Sequence, residues 1–221
     1  MDKRPFDVDE AFRRLREATR DFPQAEMFAL RDEGFTSVFE QLVSCILSIR
    51  TFDEQSGPAA RRLFALGRTP AVIAALAPEA ILAAIANVTF APAKATQIQA
   101  IARRTADELG GELPADFAVL TSLKGVGPKC ANLTLGVARG VPAIAVDVHV
   151  HRVTNRWGVV HAPTPEATLA QLESWLPKDY WVEINERLVP FGKRICTGRA
   201  PKCSTCPLLE MCAQVGVTDH R

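Results

Sequence analysis

Four cysteines, Cys196, Cys203, Cys206 and Cys212, crowd into one short stretch near the C-terminal end, spaced C-x6-C-x2-C-x5-C. Thiolates select soft metal centres, chiefly iron–sulfur clusters and zinc. A zinc ribbon divides its ligands between two short knuckles held well apart along the chain. Here one gap is long, one is CxxC, and all four residues share an irregular loop, a spacing that favours a cluster over zinc. Two disulfides in a secreted tail are the third reading, and the rest of the chain argues against it.

A second group could do nucleophilic chemistry. Gly125-Val126-Gly127-Pro128-Lys129 lies between two helical patterns, one over roughly residues 115–122 and one starting at Pro128. Glycines let the backbone approach a partner closely. Pro128 suits a first helical position, and the free amides of a helix start form a phosphate site. The pattern is that of a helix–hairpin–helix, which holds a DNA backbone without reading sequence; an ordinary helix–helix turn uses the same glycines. Lys129 would sit in the first helical turn, where the macrodipole disfavours its charge. Such a lysine releases its proton more readily and is the better nucleophile. Asp147, between the apolar run 143–146 and residues 148–153, is either a simple N-cap or an oriented, ionised carboxylate. His149 and His151 flank it, and backbone contacts or packing account for them better than metal ligation.

The elements that must position these residues are helical. The chain has 221 residues, 48% of them hydrophobic, enough for a sizeable core in one large or two small domains. A net charge of +1 does not advertise a nucleic-acid binder, so any such role must rest on local patches. The N-terminal stretch has basic residues but no apolar run after them, unlike a signal peptide. No segment offers about 20 uninterrupted apolar residues to span a membrane. Six cysteines without an export signal read as thiols or metal ligands in a reducing, cytoplasmic compartment. Cys45 and Cys130 lie in apolar helical patterns and read as buried, inert thiols. Phe39, Leu42, Val43, Ile46 and Leu47 follow helical spacing. Thr69-Pro70 and Thr164-Pro165 are cap-and-proline helix starts, Ala77-Pro78 is a weaker one, and residues 94–109 form a long helix stopped by Gly110-Gly111. Residues 143–153 alternate apolar and polar, and their periodicity alone predicts a strand.

In this order, LKGVGPKCA, AIAVDVHVHRV and the four-cysteine tail resemble the endonuclease III family of DNA glycosylases, over about residues 35–212. The resemblance implies an all-α protein of two helical domains. One is a six-helix barrel carrying the helix–hairpin–helix, over residues 31–141. The other is a 4Fe-4S cluster domain made from residues 1–30 and 142–221, with a DNA cleft between the two. It also implies that Asp147 begins a helix, against the strand periodicity. Lys129 matches the family's nucleophilic lysine and Asp147 its motif aspartate. Cys196, Cys203, Cys206 and Cys212 would hold the cluster, as a structural element rather than a reaction centre. The implied partner is double-stranded DNA containing oxidised pyrimidines or abasic sites, bound by a monomer. The implied reaction is base excision through a lysine Schiff base followed by β-elimination. Gly125, Val126 and Gly127 would grip the backbone. Lys193, Arg194, Arg199 and Lys202 form a basic loop that either grips phosphates or is merely solvated.

Two segments depart from the family pattern. Arg50 stands where a family glutamine fills the space left by the flipped base; arginine differs from it in charge and geometry. Phe90 takes the place of an intercalating leucine, Thr89 that of a glycine, and Pro92 is expected to stiffen that loop. These changes touch lesion choice and flipping rather than the Lys129–Asp147 chemistry. They also motivate an alternative, a DNA-binding paralogue that recognises distorted DNA with little catalysis.

Overall fold

The computed structural model describes residues 3–221, and among them every regular element is helical. The chain divides into two compact units. One is contiguous, Glu26–Ala143, and the other joins Ile144–Arg221 to the N-terminal stretch through Ala25.

The contiguous unit holds α2 (Glu26–Asp32), α3 (Val38–Ser48), α4 (Asp53–Leu66), α5 (Pro70–Ala75), α6 (Pro78–Ala84), α7 (Ala91–Glu108), α8 (Phe117–Thr121) and α9 (Pro128–Arg139). Helix α3 is its centre, packed by α2, α4, α7 and α9. It is buried on nearly every face, including Glu40 and Gln41. A charge so placed needs partners. Glu40 completes a capping box with Ser37 and pairs with Arg68 at 2.5 Å. The cap-and-proline starts form as expected, with Thr69 accepting from Val72 N and Thr164 from Ala167 N. Helix α7 opens three residues before the expected Lys94. Pro92 falls in its first turn, where a missing N–H costs nothing.

The second unit is built from α1 (Val8–Ala18), α10 (Val148–Trp157), α11 (Pro165–Trp175) and α12 (Glu183–Arg194) around one apolar core. Phe12 and Leu15 of α1 meet Val150, Val153 and Trp157 of α10, Leu172 of α11 and Leu188 and Phe191 of α12, with Leu208 and Met211 from the tail. The strand periodicity over residues 143–153 is misleading. Ile144, Ala145 and Val146 are buried but pair with no strand, and from Val148 the apolar residues Val150, Val153 and Trp157 recur at helical spacing.

Candidate functional site

Lys129 is positioned by α8, a tight turn and α9. Asp116 caps α8 by accepting from Val119 N at 2.8 Å, and Val126 N closes the turn on Leu123 O at 3.0 Å. Leu123 and Val126 are buried and anchor the turn, while Lys124, Gly125 and Gly127 face outward. The two glycines have different reasons. Gly125 has φ +80°, and a Cβ there would meet Gln97 Nε2 at 2.7 Å. Gln97 Nε2 donates to Lys124 O at 2.8 Å, so α7 holds the hairpin in place. Gly127 has φ −93°, and a Cβ there would meet nothing within 4 Å. Neither backbone nor packing requires glycine at 127, so its bare face is open to an outside partner. No side chain caps α9, which leaves its first-turn amides for such a partner. Lys129 is exposed in this first turn. Beneath it the Cys130 thiol is pushed well above its ordinary range by its hydrogen bond with Cys45 and by burial, which suits an inert core thiol.

Asp147 is the N-cap of α10. Its Oδ1 accepts from His149 N at 2.9 Å and Val150 N at 2.8 Å. Both bonds fall on one oxygen, so among the described residues Oδ2 stays available to an outside group. The carboxylate is therefore half-buried and oriented, with one oxygen spoken for. The flanking histidines are engaged elsewhere. His151 Nδ1 lies 2.7 Å from Thr168 Oγ1, and His149 Nδ1 lies 3.0 Å from Arg152 Nη2.

Cys196, Cys203, Cys206 and Cys212 line one cavity, walled by Trp157, Phe191, Ile195, Pro201 and Leu209. None forms a disulfide. Burial, with the other three cysteines adding to it, pushes the Cys206 thiol up to about 12. Four thiols so confined are poor neighbours as anions unless a cationic core draws their charge. Among the described residues no three His, Cys, Asp or Glu side chains are grouped so as to hold a single metal ion. Four thiols lining one cavity are the residues that could hold a soft metal centre. Arg156 binds the loop from α10, donating to Thr197 O at 2.6 Å and Gly198 O at 2.8 Å, with Cys196 Sγ 3.4 Å away. Lys193, Arg194, Arg199 and Lys202 are all exposed around this loop, and the Arg194 guanidinium stacks 5.5 Å from the Phe22 ring centroid.

Arg50 and Phe90 lie on two loops of the contiguous unit, both exposed and both in the left-handed region, at φ +54° and +61°. Lys94 and Thr51 support these loops, and Gln97 supports the hairpin. Their partners are mostly main-chain groups distant in the chain, which leave no local pattern.

Residues 43–178 match the model of the HhH-GPD superfamily base excision DNA repair proteins. The chain is 40% identical over 197 residues to Endonuclease III of Thermotoga maritima, covering 89% of both proteins. It is 34% identical to Endonuclease III of Bacillus subtilis, over 87% of each. It spans 47% of the longer chloroplastic Endonuclease III homolog 2 of Arabidopsis thaliana, to which it is 41% identical. Among solved structures it superposes on a non-covalent Endonuclease III–DNA complex with a TM-score of 0.81, at 31% identity and 94% coverage of both chains. A trapped Endonuclease III–DNA covalent intermediate gives a TM-score of 0.80 at the same identity. No helix among the described residues is long and apolar enough to cross a membrane.

Proposed function

Because the chain belongs to the endonuclease III family of base excision DNA glycosylases, we propose that it is bifunctional, removing oxidised pyrimidines from duplex DNA and then nicking the abasic strand. The observation that carries this reading is Lys129, exposed in the uncapped first turn of α9 beside a glycine whose open face leaves room for an external partner. Lesion-bearing pyrimidines would be extruded from the stack, as for any enzyme acting on a base within a duplex. The Lys129 amine attacks C1′ of the extruded nucleoside, and the base leaves with the glycosidic electron pair. Asp147, through its uncommitted Oδ2, takes the lysine proton or stabilises the cationic sugar. Ring opening gives a Schiff base between Lys129 and C1′. Loss of a C2′ proton then expels the 3′ phosphate by β-elimination.

Gly125, Val126 and Gly127 present backbone amides to the phosphates, and Lys193, Arg194, Arg199 and Lys202 add charge-assisted contacts. Cys196, Cys203, Cys206 and Cys212 would hold a 4Fe-4S cluster, which supplies cross-links for their loop and no step of the reaction. Residues near 31–141 act as the barrel domain and the remainder as the cluster domain. The protein works as a monomer in a reducing compartment.

Borohydride trapping on an abasic-site duplex tests this reading. A covalent adduct that disappears in Lys129→Ala is the expected result. Tight binding without an adduct would instead make this a DNA-binding relative, the reading that the Arg50 and Phe90 departures favour. A strand-cleavage panel of thymine glycol, dihydrouracil, uracil-mismatch and abasic duplexes then fixes the lesion class.

A further inference from the structure

The chemistry proposed for Lys129 leaves a different lysine without a role. Lys94 is only 5% exposed, and lysines are rarely buried without a partner. Its ammonium donates to Leu47 O at 2.8 Å, Ile49 O at 2.7 Å and Thr51 Oγ1 at 3.1 Å. The two carbonyls lie at the C-terminal end of α3, where a helix leaves its acceptors unsatisfied and its dipole negative. The Thr51 hydroxyl also accepts the backbone N–H of Thr89 at 3.1 Å. One hydroxyl thus joins the loop after α3 to the loop before α7.

The residues beside this junction are unusual. Arg50 precedes Thr51 and Phe90 follows Thr89, and both hold a left-handed backbone that residues with side chains avoid. Such strain persists where the surroundings over-determine it, and it concentrates at functional sites. Phe52 follows Thr51 and is 77% exposed, while Phe90 is 58% exposed. Phe52 is the N-cap of α4, a position where a phenyl ring makes no capping bond.

We propose that Lys94 and Thr51 are positioning residues that lock the two loops into one unit, and that Phe52 is a further DNA-contacting side chain of that unit, stacking on a base beside the lesion in addition to Arg50 and Phe90, whose insertion the family resemblance already implies. This rests on the glycosylase reading. Exposed phenyl rings suit a nucleobase, because every base offers a π-face. A guanidinium next to them can hydrogen-bond the base left without its partner. Helix α7 adds a second reason for choosing DNA. Phe90 opens it and Gln97, further along, holds the hairpin at Lys124, so both features would follow the same duplex.

The test places 2-aminopurine next to the orphaned base of an abasic-site duplex and follows its fluorescence as the full-length protein binds. Wild type should give a rise that reports unstacking. Thr51→Val keeps both carbonyl contacts of Lys94, so it perturbs the junction less than Lys94→Met would. Thr51→Val and Phe52→Ala should each diminish the rise. Each should also lower the ratio of borohydride-trapping rates on duplex over single-stranded abasic DNA by about tenfold, the worth of one stacked base. A rise and a ratio unchanged in both variants would overturn the wedge while leaving the glycosylase reading intact. No adduct from wild type on either substrate would remove the glycosylase reading and the wedge with it.

Discussion

Asp147 caps α10, and the proposed reaction gives it a second job that substitution can separate. As an N-cap it accepts two amide hydrogens through one oxygen, and asparagine caps about as well as aspartate. Asp147→Asn should therefore unfold in urea within about 0.5 kcal/mol of wild type yet lose about 100-fold or more in borohydride-trapping rate, as expected when a proton-transfer group is removed. Asp147→Ala should lose a further ~1 kcal/mol of stability. Lys94 offers a pH test. Burial pulls its ammonium down from 10.5 to about 8. Between those values the unfolded chain keeps a proton that the folded chain has released, so raising the pH favours folding. Relative to Lys94→Met, wild type should gain stability from pH 8 to 10.5 and gain nothing below pH 7, as read by urea midpoints. Lys129, Asp147 and the four cysteines were legible as residues because their spacing is local. Lys94, Thr51 and Gln97 were not, because what identifies them is a carbonyl, an amide or a loop brought close only by folding.

At the scale of elements, the two hairpin glycines make opposite predictions. Gly127→Ala meets no steric obstacle and keeps an allowed φ, so its melting temperature should stay close to wild type while duplex affinity falls severalfold in a fluorescence-anisotropy titration. Gly125→Ala must hold φ +80° and displace Gln97, so it should lose ~1–2 kcal/mol of stability as well. Helix starts were the most readable elements, because Thr69, Thr164 and Pro128 carry their capping chemistry in two or three residues. The stretch from Ile144 to Val153 was the least readable. Its extended half is buried without pairing and its helical half has β-branched residues on the inner face, so a period of two dominates until Asp147 turns the chain. Only the family resemblance, carried by three motifs together, points to a helix from Asp147.

At the scale of the molecule, each unit owns a core, and the cysteine loop belongs to the core of the discontinuous one through Leu208 and Met211. If the proposed cluster cross-links this loop, iron chelation should expose bonds between Cys196 and Cys212 to limited proteolysis while Glu26–Ala143 resists cleavage, with the fragments identified by mass spectrometry. Clips between distant ends tie that same unit together. Lys3 donates to Leu209 O at 2.8 Å, Arg4 pairs with Glu210, and Arg14 reaches Pro207 O at 2.7 Å. During synthesis the segment 26–143 leaves the ribosome as a continuous piece and can fold as it emerges, since domains fold as units from the N-terminal side. Helix α1 emerges earlier still but must wait, apolar face uncovered, until translation has passed Met211. Nascent chains arrested before that point would be the ones most in need of a chaperone.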